Sequence, residues 1–206
     1  MRLEDYVAHV EGGRIPPGPP YVLTFHGQGG HGIEYYEARE TCIKRGMWSV
    51  VDLRWTRTLA KWIGDRKVLE IMSGPGWLAK ALMFHGVDVV ATDNGSWSER
   101  HSKAAPLCVV LPMDAVEAVE KLGPEMDVLL VSWPPYEETD VCRALEKWGD
   151  KPVIYIGEGE GGCGPPGEFW SHFEKTDAPE FPMVSWYGLH DYVQIGTYEW
   201  RDEDGS

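Results

Sequence analysis

From Lys67 onward, short apolar runs alternate with stretches of helical periodicity, and this alternation limits the chain to an α/β fold. The apolar runs lie at Val68–Ile71, Val87–Thr92, Cys108–Leu111, Val128–Ser132 and Val153–Ile156. Because these runs are almost continuously apolar, each strand should be covered on both faces, as in a parallel sheet between helices. Helical spacing follows at 76–85, 115–122 and 139–148, and more weakly at 168–175.

The two ends of this pattern differ from its middle. Residues 33–63 have apolar positions at helical spacing with a break near Gly46, which predicts one or two helices ahead of the first strand. At the other end, Met183–Tyr187 and Tyr192–Trp200 are aromatic and strand-like, joined by Gly-Leu-His-Asp. This arrangement predicts an antiparallel hairpin that closes the sheet.

The first 33 residues stand apart in composition. Residues 12–32 combine a run of prolines and glycines with His26-Gly-Gln-Gly-Gly-His-Gly32, a composition that favours no regular element. Long loops of this kind often act as lids. We therefore predict a flexible segment at 1–33 that is a candidate lid, and one domain at 34–206 in which residues 34–64 form a helical cap.

A glycine turn follows the first strand. Glu70-Ile-Met-Ser-Gly-Pro-Gly76 leads into the helix predicted at 76–85, and acids follow the next two strands, first Asp93 with Asn94 beside it and then Asp114. The carboxyl ends of parallel strands meet at the edge where open α/β sheets bind ligands. A strand, a glycine turn and a helix bring the backbone close to a nucleotide-like ligand at that edge.

The glycine turn resembles the first motif of class I S-adenosylmethionine-dependent methyltransferases, usually Glu/Asp-x-Gly-x-Gly-x-Gly. Gly74 and Gly76 match its last two glycines, and Met72 replaces the first. The resemblance implies a Rossmann-like, doubly wound, mostly parallel seven-stranded sheet with a C-terminal antiparallel hairpin and an N-terminal helical cap. It also implies S-adenosyl-L-methionine as methyl donor and S-adenosyl-L-homocysteine as product.

The same resemblance assigns roles to single residues. Glu70 would act near the methionine end of the cofactor, Asp93 would bind the ribose hydroxyls, and Asp114 would meet the adenine amino group. The remaining residues predicted to line the cofactor are Met72, Ser73, Gly74, Gly76, Asn94, Ser132 and Trp133. Dinucleotide dehydrogenases also use a strand, a glycine turn and an acid, but Ala79 stands at the position of their third glycine.

Ser132-Trp-Pro-Pro-Tyr136 follows the fourth strand and resembles the Asn/Asp-Pro-Pro-Tyr/Phe motif of methyltransferases that act on exocyclic amino groups. In that motif the Asn or Asp accepts hydrogen bonds from the target amine, and the aromatic residue stacks on its ring. Tyr136 matches the aromatic residue, but Trp133 occupies the acceptor position. The segment is therefore predicted to line the pocket, with Trp133 against the cofactor or a flat apolar substrate.

Two further segments contain candidate catalytic groups besides Tyr136. Glu158 lies in the glycine-rich loop 157–167 and would bind a cationic or hydroxylated substrate or accept a proton, unless the loop is only solvated. His26 or His31, delivered by the lid, would act as general base. Two histidines are too few for zinc, and the four scattered cysteines have no paired spacing, so no metal site is predicted.

Charge and hydropathy limit the partners. The net charge is −14, and residues 65–206 hold 26 acidic against 11 basic side chains, whereas nucleic-acid binding needs a basic face. Nucleic acid is thus a poor partner, apart from a basic run formed by Arg39, Lys44, Arg45, Arg54 and Arg57. No apolar run approaches the roughly 18 residues of a membrane span, and the N-terminus has no signal-peptide core, so a cytoplasmic location is expected.

These patterns predict an enzyme: an S-adenosylmethionine-dependent methyltransferase that methylates a nitrogen or oxygen of a small molecule. One alternative keeps the cofactor but has no catalysis, as in a regulatory or scaffold protein. Another is a nucleotide or RNA amino-methyltransferase that uses the basic run. A homodimer or a partner protein is compatible with all three.

Overall fold

A computed structural model describes residues 1–23, 32–96, 104–136 and 138–200. Its strands are β1 Val68–Ile71, β2 Val89–Asp93, β3 Val110–Pro112, β4 Val128–Ser132, β5 Val153–Gly157, β6 Phe173–Lys175 and β7 Tyr192–Tyr198. Its α-helices, within these ranges, are α1 Leu3–Glu11, α2 Ile33–Lys44, α3 Leu53–Ile63, α4 Trp77–Phe84, α5 Ala115–Leu122, α6 Asp140–Trp148 and α7 Gly167–His172.

The strands form one seven-stranded sheet in the order β3-β2-β1-β4-β5-β7-β6. The first five run parallel, whereas β7 is antiparallel to β5 and β6 is antiparallel to β7. The predicted fold class is confirmed: a doubly wound α/β sheet with an antiparallel hairpin at its C-terminal side. Because the chain moves outward from β1 in one direction and from β4 in the other, the strand order reverses between these two strands.

Helices cover both faces of the sheet, as the continuous apolar strands predict. Val68, Leu130 and Ile154 face one layer, which contains α3 and α4. Their neighbours in sequence, Leu69 and Leu129, face the opposite layer, which contains α5, α6 and α7. Successive side chains of a strand point to opposite faces, so each strand contributes to both cores.

The C-terminal hairpin differs in detail from the prediction. The helix predicted at 168–175 ends at His172, and β6 begins at Phe173. The segment 183–187, predicted as a strand, has no strand structure. Met183 and Trp186 are nevertheless buried, because Met183 packs in the core that contains α3 and α4, and Trp186 packs in the core beneath α1 and α2. Its apolar pattern therefore records burial and not a strand.

The N-terminal segment contains a helix that the sequence analysis did not assign. In α1 the apolar residues Leu3, Tyr6, Val7 and Val10 have helical spacing, and Tyr6 and Val10 are fully buried. The Tyr6 hydroxyl donates a hydrogen bond to the Val51 carbonyl at 3.0 Å. Together α1 and α2 form a cap over α4. None of the helices in the described ranges is long and apolar enough to cross a membrane.

Candidate functional site

The candidate site lies where the strand order reverses, at the carboxyl ends of β1 and β4. These strands pair in parallel, with Ile71 opposite Val131. The segment after β1 leads into α4 on one face of the sheet, and the segment after β4 leads toward α6 on the other face. The two segments therefore diverge and leave a crevice at the sheet edge, as doubly wound folds do at their ligand sites.

The glycine turn after β1 uses a left-handed backbone three times. Met72, Gly74 and Gly76 have φ angles of 53°, 55° and 83°. Glycine adopts this conformation freely, whereas a side chain with a Cβ is strained there. Met72 thus adopts the strained backbone at the position where the methyltransferase motif has its first glycine.

Asp93, at the end of β2, holds this turn. Its Oδ2 accepts a hydrogen bond from Gly74 N at 2.7 Å, and its Oδ1 accepts one from Gly95 N at 2.6 Å. A carboxylate oxygen can accept more than one hydrogen bond, so Asp93 keeps acceptor capacity for a ligand hydroxyl. Asn94, beside it, accepts a hydrogen bond from Ser96 N at 2.9 Å and shapes the same loop.

Gly76 is required by close packing as well as by its φ angle. A Cβ built on it would lie 2.7 Å from Cys108 Sγ. The segment before β3 also contacts the turn through Leu107 N, which donates to the Pro75 carbonyl at 2.8 Å. Ser73 N donates to the Thr92 carbonyl at 3.0 Å. The turn is therefore attached to β2 and to the approach to β3.

Glu70 is a fully buried carboxyl group directly before the turn. It is 1% exposed, and burial raises its pKa from an ordinary value of 4.5 to about 8. The backbone N–H of Ala79, in the first turn of α4, opposes this rise, and the negative charge of Asp93 adds to it. Its Oε2 has no hydrogen-bond partner among the described residues. Glu70 thus places an acid at the N-terminus of α4, where a ligand phosphate would otherwise bind.

Asp114 has a structural contact of its own. It is exposed, and its Oδ1 caps α5 by accepting a hydrogen bond from Glu117 N at 2.8 Å. It also lines a groove of about 260 Å³ between α5 and α6. Because β3 lies beside β2, Asp114 stands on the same sheet edge as Asp93. A second and larger cleft, of about 730 Å³, lies away from this edge between α1 and α2.

Trp133 follows Ser132 at the end of β4 and, like Met72, has a left-handed backbone, with φ 50°. Its backbone N donates to the Ile156 carbonyl at 2.7 Å. Its indole Nε1 donates to Asp191 Oδ2 at 3.2 Å. The ring is stacked on Trp48 with a centroid distance of 6.5 Å and an interplanar angle of 25°. The backbone N–H, the indole N–H and the ring face of Trp133 therefore each have a contact that holds the residue in place.

The three predicted catalytic residues have different outcomes. Tyr136 is 67% exposed, so its ring lies at the surface beside the crevice. His26 and its companion His31 lie outside the described residues. Glu158 is buried, and its carboxylate joins two loops, because Oε2 accepts from Cys163 N and Oε1 accepts from His190 N, each at 3.0 Å.

The glycines of the loop after β5 have a packing role. A Cβ on Gly157 would lie 2.5 Å from the hydroxyl of Tyr155, and one on Gly164 would lie 2.8 Å from the same atom. A Cβ on Gly159 would lie 2.7 Å from the hydroxyl of Tyr192. Three of the six glycines at 157–167 therefore lie against a tyrosine hydroxyl, whereas a Cβ on Gly161 or Gly167 would meet nothing within 4 Å.

Sequence reasoning missed Asp191, which lies just before β7. It is 4% exposed, and burial raises its pKa to about 6. The only sequence signal was an acid next to a strongly aromatic strand, and that segment was interpreted as a connection. Trp48 lies in the stretch 33–63 for which one or two helices are predicted, but α2 ends before it and its ring is stacked on Trp133.

Two other tryptophans, Trp170 and Trp186, pack against the hydrophobic cores and not in the crevice. Trp170 packs against Tyr155 and Phe169 on the sheet face that α5, α6 and α7 cover. Trp186 is buried in the cap against Tyr6. Trp97 lies outside the described residues. Within the ranges that the structure describes, no group of three His, Cys, Asp or Glu side chains is arranged to hold a metal ion.

No protein-family model matches the sequence, and no curated protein matches it. A solved structure similar in fold is that of the Burkholderia thailandensis 1,6-didemethyltoxoflavin-N1-methyltransferase with bound 1,6-didemethyltoxoflavin and S-adenosylhomocysteine. It is 14% identical, with a TM-score of 0.47 over 81% of this chain and 84% of that chain.

Two further solved structures are similar. TehB from Haemophilus influenzae is 11% identical, with a TM-score of 0.44; the match covers 70% of this chain and 61% of TehB, less than two thirds of that chain. Magnesium protoporphyrin IX methyltransferase from Synechocystis PCC 6803, with bound SAM, is 12% identical, with a TM-score of 0.43 over 71% of this chain and 79% of that chain. At these identities the likeness is one of fold.

Proposed function

We propose that this protein is an S-adenosylmethionine-dependent methyltransferase that acts on a small molecule. The observation that carries the proposal is the hydrogen bond from Gly74 N to Asp93 Oδ2 at 2.7 Å. It joins the glycine turn after β1 to the acid at the end of β2, on the edge where doubly wound sheets bind nucleotide-like ligands. The motif resemblance gives each of these residues a role toward this cofactor.

The acid distribution favours this cofactor over a dinucleotide. A dinucleotide's pyrophosphate binds at the N-terminus of the helix after the glycine turn. Here the buried carboxyl of Glu70 already interacts with the backbone N–H of Ala79 at that position. A ligand with an ammonium and a sulfonium charge favours the ionised form of this buried carboxyl and so suits the turn, whereas a pyrophosphate disfavours that form and meets an N–H that is already engaged.

The residues fit the cofactor in three places. Glu70 has a buried oxygen with no hydrogen-bond partner among the described residues, which suits the cationic methionine end. Asp93 keeps acceptor capacity for the ribose hydroxyls, and Asp114 is exposed at the same edge for the adenine. When bound, S-adenosylmethionine supplies an electrophilic methyl group. The contribution of the chain is to bind, to orient the substrate and to exclude water, which is the larger part of such catalysis.

The segments expected to contact the substrate favour a small molecule. The segment after β4 and the loop after β5 face the same edge, and the cap brings Trp48 onto Trp133. Tyr136 is available at the surface to stack on a ring, as in the amino-methyltransferase motif that this segment resembles. The acidic net charge disfavours a polyanionic substrate and is compatible with a cytoplasmic enzyme.

The experiment is calorimetric titration with S-adenosylhomocysteine and, in parallel, with NAD⁺. We expect one-to-one binding of the first and no heat from the second. Methyl transfer is then measured as S-adenosylhomocysteine formed when candidate small molecules are added. Binding without turnover across a broad substrate panel would favour the regulatory or scaffold alternative, and binding of NAD⁺ alone would overturn the proposal.

A further inference from the structure

Two buried carboxylates lie on the substrate side of the crevice, and neither has a lysine or arginine partner among the described residues. They are Asp191, 4% exposed, and Glu158, 8% exposed. His190 Nδ1 is 3.9 Å from Glu158 Oε1. Burial raises the pKa of the nearby Tyr155 hydroxyl, and the charges of both carboxylates add to that rise. Buried acids are ordinarily paired with a cation or hydrogen-bonded on every oxygen.

Asp191 is the less satisfied of the two. Its Oδ2 accepts the indole N–H of Trp133, but its Oδ1 has no hydrogen-bond partner among the described residues. The Ser185 hydroxyl donates to its backbone carbonyl at 3.0 Å and, with the Trp133 N–H, opposes the rise in the pKa of the Asp191 carboxyl that burial causes. The charge of Glu158 acts unfavourably on it. A positive charge brought to this place would therefore interact favourably with both carboxylates.

Glu158 holds a second negative charge near Asp191. Both of its oxygens accept backbone N–H groups, from Cys163 and from His190, which holds the loop after β5 against the segment before β7. The carboxylate is thereby fixed at the same end of the sheet as Asp191. Its charge adds to the local potential without requiring direct contact with a ligand.

The indole pair Trp48 and Trp133 provides the surface for such a cation. Both rings are partly exposed, and they stack at a centroid distance of 6.5 Å. The faces of indole rings attract ammonium groups, and the attraction grows when the site is desolvated. Because the Trp133 N–H donates to a carboxylate, its ring becomes more electron-rich, which strengthens that attraction.

We propose that the Trp48–Trp133 pair, backed by Asp191 and Glu158, binds a cationic amine group of the substrate. The inference deepens the proposed function, on which it rests, by giving the substrate a class: a flat or apolar molecule that carries an ammonium group. It also assigns a use to the tryptophan that replaces the Asn or Asp of the motif. The negative partner of the amine is a carboxylate on a distant part of the chain.

The test measures binding of phenethylammonium at pH 7.5, with 2-phenylethanol and phenylacetate as neutral and anionic counterparts of similar shape. We expect phenethylammonium to bind at least tenfold more tightly than either counterpart. Asp191→Asn, which keeps an acceptor for the Trp133 N–H but removes the charge, should weaken phenethylammonium binding at least tenfold and leave 2-phenylethanol unchanged. Glu160→Gln removes the same charge from an exposed position of the loop and should stay within twofold.

A second variant keeps the test decisive if Asp191→Asn does not fold. Trp48→Leu should weaken phenethylammonium binding at least fivefold, whereas Trp48→Phe, which keeps an aromatic face, should lose less. Equal affinities for the three probes, or unchanged selectivity in a folded Asp191→Asn or Trp48→Leu protein, would overturn the inference. S-adenosylhomocysteine is titrated separately into the same preparations, so a failed cofactor claim and a failed cation site give different results.

Discussion

Met72 and Trp133 share a left-handed backbone, with φ angles of 53° and 50°, at the ends of the two strands between which the sheet order reverses. They are the described non-glycine residues with positive φ. Such strain costs about 1–3 kcal/mol per residue and persists where the surrounding structure over-determines it, often at binding sites. Two strained residues at the ends of neighbouring strands therefore indicate a binding site at this crevice, without any use of a sequence motif.

The strain at Met72 can be measured by comparing two truncations. Met72→Gly and Met72→Ala both remove the side chain, but only glycine adopts a positive φ without cost. We expect the glycine variant to be more stable than the alanine variant by about 1 kcal/mol in urea unfolding, the reverse of the usual order. A more stable alanine variant would show that the backbone at this position is not left-handed.

Gly76 and Gly86 form a matched pair for separating backbone strain from steric overlap. Their φ angles are 83° and 86°, but a Cβ meets Cys108 Sγ at 2.7 Å only at Gly76, since nothing lies within 4 Å at Gly86. Gly76→Ala should therefore be less stable than Gly86→Ala by about 1–3 kcal/mol. Adding Cys108→Ala to Gly76→Ala should recover part of that difference. Equal losses in the two single variants would show that the turn is not packed against Cys108.

Burial of Glu70 predicts a pH dependence of stability. Its pKa is raised from 4.5 to about 8 in the folded state. The folded protein therefore binds this proton more tightly than the unfolded chain does, so the contribution to stability is full below pH 4.5 and is lost as the pH rises to about 8. Glu70→Gln, which resembles the protonated form, should gain stability relative to wild type over this window.

The measurement for Glu70 is the free energy of unfolding at a series of pH values. The exposed Glu180→Gln is the control, and its profile should run parallel to that of wild type. If the Glu70→Gln and wild-type profiles were also parallel, the carboxyl group would not be titrating as the buried site requires.

The two roles of Asp114 can be separated by a pair of variants. Its side chain caps α5, so Asp114→Ala should lower stability by about 1 kcal/mol, whereas Asp114→Ser keeps a capping oxygen and should be nearly neutral. Both variants lose the carboxylate, so both should bind S-adenosylhomocysteine at least fivefold more weakly. If Asp114→Ser bound S-adenosylhomocysteine as tightly as wild type does, Asp114 would have a capping role only and no role in cofactor binding.

The parallel strands could be predicted because each is indicated by a continuous apolar run within a few residues of sequence. The bounds of β1 and β4 agree with the prediction, since buried strands are continuous apolar runs. The segment 183–187 has the same kind of apolar pattern but is buried without pairing. The apolar pattern reports burial, so it does not distinguish a strand from a buried segment without regular structure.

The glycine turn and the position of Asp93 could also be predicted from the sequence, whereas the contacts around Trp133 could not. The turn from Glu70 to Gly76 is contiguous, and Asp93 follows one strand later. Trp133, Asp191 and Trp48 meet only in the folded chain, and the two partners of the indole hydrogen bond are 58 positions apart in the sequence. No local pattern indicates that an indole N–H and a buried acid so far apart will pair.

The most direct test of the central claim is the affinity of S-adenosylhomocysteine for Asp93→Ala, measured by calorimetry beside wild type. Asp88→Ala is the control, because Asp88 is an exposed acid just before the other end of β2. We predict one-to-one binding to wild type, affinity within twofold of wild type in Asp88→Ala, and at least a tenfold loss in Asp93→Ala. A wild-type protein that does not bind S-adenosylhomocysteine, or an Asp93→Ala protein that binds it as wild type does, would contradict the account.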